Sequence, residues 1–550
     1  MVFSTIRVAI SAALKALNWD VPNDAFTVQV NHDVSKGEFS SNVAYLVRQH
    51  HRQDIKEAAA QIVKAISQTK NPFQHIEVVN GYLNFFYQVA PLNDIIKQIL
   101  TAGELYGSST MGKNIRVNYE WISANPTGHL HIGHLRNAVV GDCLVNVFAF
   151  MNYEIDREFY INDAGNQIFN LGKSIYYHYA QKLNIPFEVF PDMYQNVELI
   201  ALAEQIYAKH GNQYRDLSWK TKDEFLDQKY FIDFGKAHFL KVFRDDCQAI
   251  GIHFDHWFSE KSSYENDYFE KFQARLQKDN LSYIKDGALW FKVKQFGLEE
   301  DFVLIKKDGS PTYFAGDIMY HDNKFTRGYD YIYNLWGADH HGHSLKIKAS
   351  MKALGWPVER FDVDFLQMVR VLHKEEIQKM SKRAGTAVYW REFVKFTGKD
   401  FARFMMISRQ RTTKFVFDLS LLREKNMKNP VFYTQYAHAR AFQVLAKKKN
   451  TISFPKTYQH LGKTPSEKDL IVNLYRFPLV NKRVIEKHEP QILVDYLVEI
   501  SKKFHVFYQQ NPILTAPKSL MIERLGLVAA FRQVAANIFK LIGISAPERM

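Results

Sequence analysis

Cysteine is almost absent from this 550-residue sequence. Only Cys143 and Cys247 occur, and neither lies in a C-x-x-C pair. Two isolated thiols exclude a disulfide-rich secreted scaffold and argue against a structural zinc site built on thiolates. This scarcity is typical of a reducing compartment, so we expect a cytoplasmic protein.

Long apolar runs are also missing, since no stretch reads as long enough to cross a membrane. The apolar N-terminal stretch at residues 6–17 is interrupted by Arg7 and Lys15, so it predicts neither a signal peptide nor a membrane span. No internal repeat or low-complexity tract is apparent. We therefore expect no membrane partner.

The phosphate-binding P-loop is absent as well. Gly172-Lys173-Ser174 and Gly462-Lys463-Thr464 would each need a further glycine five residues before their own glycine. Gln167 and Thr457 occupy those positions. Neither string is therefore a P-loop.

Three neighbouring histidines, His340, His341 and His343, raise the question of a metal site. They are accompanied by neither an H-E-x-x-H motif nor thiolates, so we expect no permanent metal. They follow a predicted strand at residues 331–336, where open α/β sheets bind ligands. Contact with a substrate is the better interpretation.

Charge and length give the first positive indications. Lys and Arg total 71 against 58 Asp and Glu, which leaves a net charge of +13 and a pI near 9.2. That surplus suits a polyanionic partner bound in a salt-dependent way, although a merely basic soluble protein is the alternative. The length predicts three or four domains rather than one core.

A strand, a turn and a helix follow one another between residues 115 and 148. Apolar residues alternate with polar ones up to Trp121, which predicts a half-buried strand. Asn125-Pro126-Thr127-Gly128 ends that strand, and a helical apolar stripe begins after Gly133. His131 and His134 therefore lie at the first turn of a helix, where free N–H groups and the helix dipole attract anions. Two surface histidines would be the alternative.

The wider pattern predicts a doubly wound parallel-sheet, Rossmann-like domain at residues 111–404. A mostly helical insertion at about 170–250 is expected between two halves of this sheet, with further strands at 288–291 and 303–305. Residues 1–110 predict a small α/β domain, and 405–550, where the strand signal nearly vanishes, predict an all-α bundle.

A second basic motif, Lys379-Met380-Ser381-Lys382-Arg383, follows a strand predicted at residues 365–372. Two lysines three residues apart, with Gly385 as a hinge, could place two ammonium groups on phosphate oxygens. Alone, such a run is more often a solvated face. Paired with the two histidines on the other half of a parallel sheet, it favours a nucleotide site.

The two motifs resemble those of a known family. His131-Ile132-Gly133-His134 resembles the HIGH motif of class I aminoacyl-tRNA synthetases, and residues 123–128 resemble the arginyl enzymes in particular. Residues 379–383 resemble the KMSKS loop, with Arg383 in place of the final serine as in bacterial-type arginyl enzymes.

The resemblance covers nearly the whole chain. Residues 37–42 and 81–87 resemble the N-terminal module that contacts the tRNA elbow in this family. The predicted helices at 433–440, 494–507 and 525–541, with the closing residues 545–550, resemble its anticodon-binding domain. The resemblance implies an arginine–tRNA ligase that forms arginyl-adenylate from L-arginine and ATP and then arginylates the 3′ end of arginine tRNA, releasing pyrophosphate and AMP. It implies ATP as substrate, Mg²⁺ arriving with ATP, and a monomer.

The resemblance also assigns candidate site residues. The expected catalytic residues are His131, His134, Lys379 and Lys382. The expected ATP-binding residues are Ala124, Asn125, Pro126, Thr127, Gly128, His131, Gly133, His134, Lys379, Met380, Ser381 and Lys382.

An arginine pocket must present carboxylates to a guanidinium group. Glu120 and Asp317 are the candidates at strand ends, and the resemblance maps the family's arginine-binding Asn, Tyr and Asp to Asn125, Tyr313 and Asp317. A helix beginning by Tyr313 would place Tyr313 and Asp317 on one face. Asp339 and His340 complete the expected set.

Two other functions stay open at this stage. One is a different class I synthetase or small nucleotidyltransferase, although the latter has no need of a basic helical C-terminal third. The other is an RNA-binding relative that has lost its chemistry, which the intact motif residues argue against. ATP–pyrophosphate exchange, tested amino acid by amino acid with and without tRNA, separates them.

Overall fold

The computed structural model describes residues 2–31, 33–219, 226–264, 267–372, 388–418, 422, 424, 428–448 and 453–550. The second basic motif, residues 379–383, lies outside these ranges.

The N-terminal part is a small α/β unit, as predicted. Its helices are α1 (Val2–Ala16), α2 (Val43–His51), α3 (Ile55–Ser67) and α4 (Val89–Ala102), and its strands are β1 (Val28–Val30), β2 (Phe39–Ser41), β3 (Phe73–Val79) and β4 (Tyr82–Tyr87). The strands form an antiparallel sheet in the order β1-β2-β4-β3. Asn80 and Gly81 both have positive φ, the conformation required by a two-residue hairpin between β3 and β4.

The central part contains most of the strands. They are β5 (Arg116–Ala124), β6 (Glu154–Ile161), β7 (His256–Ser259), β8 (Ser282–Lys285), β9 (Ala288–Phe291), β10 (Phe302–Ile305), β11 (Tyr331–Gly337), β12 (Phe361–Leu366), β13 (Val369–Leu372) and β14 (Phe415–Asp418). The helices are α5 (Ile132–Phe150), α6 (Asn166–Lys182), α7 (Val197–His210), α8 (Leu226–Ala249), α9 (Tyr268–Lys278), α10 (Tyr313–Thr326), α11 (His341–Ala353), α12 (Trp390–Thr397) and α13 (Lys399–Met406).

A parallel sheet organises this part, which confirms the predicted doubly wound fold. Its strand order is β12-β11-β5-β6-β7, and every neighbouring pair is parallel. The chain winds from β5 outward to β7 and then returns to place β11 on the other side of β5. The carboxyl ends of β5 and β11 therefore form the crevice where such folds bind ligands.

Strand β5 is buried on both faces, so the prediction of a half-buried strand was wrong. Residues 117–122 are all buried. The alternating polar residues are buried because they bond to other buried groups: Asn118 donates to Glu158 at 3.1 Å, and Glu120 accepts from Lys324. Helix α5 covers one face so closely that a Cβ on Gly141 would lie 2.1 Å from Trp121 Cγ.

The helical insertion exists, but its predicted place was wrong. Helices α6, α7 and α8 lie between β6 and β7, within the first half of the sheet rather than between the halves. Strands β8, β9 and β10 do not join the parallel sheet. They form a separate antiparallel sheet, because the short connections between these strands suit hairpins rather than helical crossovers.

The C-terminal part is the predicted helical bundle, formed by α14 (Pro430–Ala446), α15 (Pro465–Tyr475), α16 (Phe477–Lys487), α17 (Gln491–Gln510) and α18 (Lys518–Ile542). One strand beyond residue 405 was missed, since β14 pairs in parallel with β13. A boundary at 404 would fall inside α13, and the boundaries at 110 and 404 stay predictions.

Helix α18 overturns the expectation that no apolar run reaches membrane length. By length and composition it could span a bilayer, yet 78% of its most apolar window is buried inside the structure. Asn537 on this helix donates to the carbonyls of Gly103 and Tyr106, and Asn146 of α5 donates to the Leu541 carbonyl. The apolar composition therefore belongs to a helix that packs between the three parts of the chain.

One buried carboxylate joins the sheet to the bundle. Asp364 of β12 accepts from Tyr119 at 2.6 Å and from His488 at 2.7 Å, and lies 2.8 Å from Arg411. Burial alone would raise the pKa of Asp364, but His488 and Arg411 outweigh burial and hold this pKa below its usual value. The charge therefore stabilises the fold above the ordinary pKa of an aspartate and ceases to do so as the pH falls through the lowered value.

We expect Asp364→Asn to destabilise the fold by about 3 kcal/mol, because it leaves His488 without its buried partner charge and leaves Arg411 with Glu489 alone. Asp362→Asn is the matched control: Asp362 lies on the same strand, is 66% exposed and pairs with Lys348, and should cost less than about 1 kcal/mol. Denaturant unfolding measures both variants. Equal losses would contradict the role given to Asp364.

Candidate active site

A cavity of about 450 Å³ opens at the carboxyl ends of the parallel strands. Glu120 and Ser123 of β5, Tyr160 of β6 and Trp336 of β11 line it, together with the first turn of α5. It therefore lies at the crevice that the sheet topology defines.

A larger groove of about 1000 Å³ lies elsewhere, between β1 and the helices of the bundle. Its lining contains no histidine. Two of its carboxylates, Glu489 and Glu499, pair with Arg411 and Arg476. The smaller cavity is thus the better candidate for chemistry.

The two motif histidines cap helix α5. His131 is the N-cap residue, and its Nδ1 accepts from the Gly133 N–H at 3.0 Å. The Nδ1 of His134 accepts from the His131 N–H at 3.2 Å, and the two rings stack with centroids 3.8 Å apart. Since both Nδ1 atoms act as acceptors, each neutral ring carries its proton on Nε2 and keeps that donor for another group.

The environment favours the neutral form of both rings. Burial lowers the pKa of His131, and burial together with the adjacent His131 lowers the pKa of His134 to about 3. Both rings are therefore uncharged at neutral pH. They add hydrogen-bond donors, rather than full positive charges, to the positive end of the α5 dipole.

The two ends of the second basic segment lie beside these histidines. Gln367 and Val369, just before residues 373–387, line the cavity. On the far side of that segment, the Val388 carbonyl accepts from Ile132 N–H at 3.0 Å, and Tyr389 forms an isolated β-bridge with His131. Described residues on both sides of positions 373–387 therefore line the cavity or contact the first turn of α5. Lys379, Met380, Ser381 and Lys382 lie outside the described residues.

Helix α10 carries the next group of cavity residues. It begins at Tyr313, as predicted, so that Tyr313 and Asp317 share a face and both line the cavity. His343 Nε2 lies 2.8 Å from the Asp317 carboxylate. Burial raises the pKa of Asp317, while the hydrogen bond and charge of His343 oppose that rise.

Glu120 is already paired. Its Oε2 accepts from Lys324 Nζ at 2.7 Å, and both side chains are almost completely buried. Lys324 also donates to Asn334 at 2.9 Å. The ammonium group thus neutralises the Glu120 carboxylate at the floor of the cavity.

Sequence reasoning missed Glu260 and Tyr160. Glu260 directly follows β7, and burial, then Asp317 and Asp163, raise its pKa to about 7. Tyr160 lines the cavity, and its buried hydroxyl has no hydrogen-bond partner among the described residues. The available signal for Glu260 was a carboxylate two residues after the apolar pair Trp257-Phe258.

The structure brings many, but not all, of the predicted site residues together. Those that line the cavity are Glu120, His131, Gly133, His134, Tyr313, Asp317, Asp339 and His340. Those at the end of β5 and in the turn after it are not among the lining residues: Ala124, Asn125, Pro126, Thr127 and Gly128. The amide of Asn125 instead donates to the Asn162 carbonyl at 3.1 Å.

Comparison with known proteins agrees with this geometry. The model of the arginyl-tRNA synthetase N-terminal domain matches residues 4–87, that of the class I tRNA synthetase (R) catalytic domain matches residues 95–416, and that of the DALR anticodon binding domain matches residues 434–550.

Individual relatives agree as well. Arginine–tRNA ligase of Oceanobacillus iheyensis is 38% identical over 522 residues, which cover 94% of this chain and 93% of the relative. That of Moorella thermoacetica is 35% identical over 551 residues, covering 99% and 97%. The fold matches the solved Thermus thermophilus arginyl-tRNA synthetase with a TM-score of 0.73, at 19% identity and with all of both chains covered.

A parallel sheet with a histidine-capped helix at its switch point defines a class I aminoacyl-tRNA synthetase, an aminoacyl-tRNA ligase. The chain belongs more particularly to the arginyl-tRNA synthetase family.

We expect the His134 imidazole to stay neutral and Nε2-protonated from about pH 8 down to about pH 5, because its lowered pKa lies below that range. Nitrogen-15 NMR of histidine-labelled protein measures this, with His134→Asn identifying the signal. An imidazole that titrates near its ordinary pKa of about 6.5 would contradict the assignment.

Proposed function

We propose that this cavity is where the chain performs arginyl-tRNA aminoacylation, the activity of its family. The main support for the proposal is that two surfaces of different chemistry lie at the same edge of the parallel sheet. One surface is a helix N-terminus with two Nε2 donors, and the other is an acidic, tyrosine-lined recess around Asp317. The first fits phosphate and the second fits guanidinium.

The ATP phosphates belong at the α5 end of the cavity. The helix dipole and the Nε2 donors of His131 and His134 favour an anion there. The N–H groups of Ile132 and Gly133 already bond to Val388 and His131, so the imidazoles supply the side-chain donors. We assign Lys379 and Lys382 to the same phosphates, since residues 367–369 and 388–389 hold both ends of their segment beside His131. Positioning and charge stabilisation then supply most of the catalysis.

The guanidinium group belongs at the α10 end. Asp317 and Glu260 lie close enough that each affects the ionisation of nearby groups, and Tyr160, Tyr264 and Tyr313 surround them. Carboxylates and aromatic faces both attract a planar cation. The charge of Glu120 is matched by Lys324, so Asp317 and Glu260 are the better guanidinium acceptors.

The reaction then proceeds in two displacements. The arginine carboxylate attacks the α-phosphorus of ATP, and pyrophosphate leaves. A ribose hydroxyl at the tRNA 3′ end next attacks the carbonyl carbon of arginyl-adenylate, and AMP leaves. The side chains hold the reactants and stabilise developing charge, and they form no covalent intermediate.

We also propose the partners of the protein and its cellular location. Residues 434–550, which match an anticodon-binding domain, would contact tRNA, and a monomeric cytoplasmic enzyme fits the sequence. The described residues contain no group of three or more His, Cys, Asp or Glu side chains that could hold a metal. We assign Mg²⁺ to the ATP phosphates, with which it enters.

Asp317→Asn tests the amino-acid end. It keeps the shape of the side chain but removes its charge. The arginine KM should therefore increase by a factor of between about 30 and several thousand, the equivalent of about 2–5 kcal/mol. The ATP KM should hardly change. ATP–pyrophosphate exchange, run with tRNA present, measures both constants.

Two variants control this experiment. Asp322→Asn removes another buried carboxylate of α10, one that accepts from Tyr268, Arg275 and Trp356 away from the cavity. It should lower stability without a selective effect on arginine. If Asp317→Asn leaves the arginine KM within about threefold of the parent while Glu120→Gln raises it, Glu120 is the guanidinium acceptor instead.

The raised pKa of Glu260 predicts a pH dependence. Below its pKa of about 7 the carboxyl is protonated and cannot pair with guanidinium, whereas above it the carboxylate can. The arginine KM should therefore fall about tenfold between about pH 6 and about pH 8. Glu260→Gln should remove this dependence, and it separates Glu260 from His343, which stays in the variant. An unchanged pH profile in Glu260→Gln would assign the titration elsewhere.

A further inference from the structure

A second buried carboxylate lies just behind Glu260. Asp163 follows strand β6 and is 3% exposed. Its carboxylate accepts from the Ser259 hydroxyl at 2.7 and 2.8 Å, from the Lys261 backbone N–H at 3.1 Å, and from Lys236 Nζ at 3.1 Å. A carboxylate that accepts this many hydrogen bonds is held in one position.

Two of these donors flank Glu260 in the chain. Ser259 is the last residue of β7 and pairs with Ile161 of β6, two residues before Asp163. Lys261 belongs to the short 3₁₀ turn Glu260–Tyr264. Asp163 therefore holds the chain on both sides of Glu260, at the point where a strand becomes a turn.

We propose that Asp163 is a positioning residue for amino-acid recognition, which fixes the backbone at residues 259–261 and so aims Glu260 at the substrate's guanidinium group. The proposal rests on the function proposed above, in which Glu260 is a guanidinium acceptor. Neither Asp163 nor Glu260 is among the cavity-lining residues. Glu260 packs against the first turn of α10, where its Oε1 would lie 3.3 Å from a Cβ on Gly316, beside Asp317. Asp163 lies further from α10, so its effect on arginine is expected to act through Glu260.

The third donor, Lys236, belongs to the helical insertion. Lys236 lies on α8 and pairs with Asp163 in a site where the Asp163 side chain is 1% exposed. Without an ammonium group there, Asp163 would add an unbalanced negative charge next to Glu260. Lys236 thus balances the charge of Asp163, which holds the backbone. Glu260 and Asp317 are left to bind the substrate.

A double-mutant cycle separates positioning from a general structural role. The variants are Asp163→Asn, Glu260→Gln and the two combined, assayed by ATP–pyrophosphate exchange in the full-length protein with tRNA present. Asp163→Asn should raise the arginine KM about tenfold, as expected for a lost charged hydrogen-bond acceptor, and change the ATP KM less than about twofold. In the Glu260→Gln background the same change should add less than about twofold, because its effect passes through Glu260.

Two further variants protect the test against misfolding. Asp322→Asn removes a buried carboxylate of the same domain that lies outside the cavity, and should lower thermal stability without selectively raising the arginine KM. Ser259→Ala removes one donor at small structural cost, and should raise the arginine KM about threefold. This variant keeps the proposal testable even if Asp163→Asn does not fold.

The outcomes of these measurements distinguish the positioning role of Asp163 from the proposed function. An equal rise of both Michaelis constants in Asp163→Asn, or a full additive effect in the Glu260→Gln background, overturns the positioning role. A normal arginine KM in Asp163→Asn and Ser259→Ala, with Glu260→Gln impaired, overturns it while leaving the proposed function intact. A normal arginine KM in Glu260→Gln overturns both the role of Glu260 and the inference built on it.

Discussion

The structure depends on a network of ion pairs among four charged side chains at strands β5 and β6. Lys324 lies 2.7 Å from Glu120 and 4.0 Å from Glu158, and Arg327 pairs with Glu158 through two nitrogens. Charges this deeply buried are tolerated only when each has its partner. The carboxylates lie on β5 and β6, Lys324 lies on α10, and Arg327 caps the end of that helix. The network therefore fixes α10 against the sheet and thereby sets the position of Asp317.

The candidate site is assembled from elements that are distant in the sequence. In the proposed function, a helix N-terminus after β5 supplies the phosphate end, while α10 and the turn after β7 supply the guanidinium end. Each element is anchored by groups outside the cavity lining: Gly141 against Trp121, Arg327 against Glu158, and Asp163 against Ser259. Precision at the cavity is a property of this supporting shell as much as of the lining residues.

The sequence could predict what is encoded locally. The strand–turn–helix around His131, the α10 start at Tyr313 and the helical C-terminal third follow from short-range periodicity and motif spacing, and the structure contains each of them. Long-range pairing could not be predicted in this way. The separate sheet of β8–β10, the burial of both faces of β5, and the approach of Glu260 to Asp317 depend on partners far away in the chain.

The packing of α18 has a consequence for how the protein is made. This helix lies near the end of the chain, yet it covers α5 and bonds to the segment after α4. During synthesis, α5 therefore leaves the ribosome long before α18, and the apolar surface that α18 covers stays open to water until that helix is made. Nascent chains with such delayed cover are prone to aggregate and depend on chaperones. The order of synthesis thus places the greatest demand on cellular folding assistance at the helix that carries the two motif histidines.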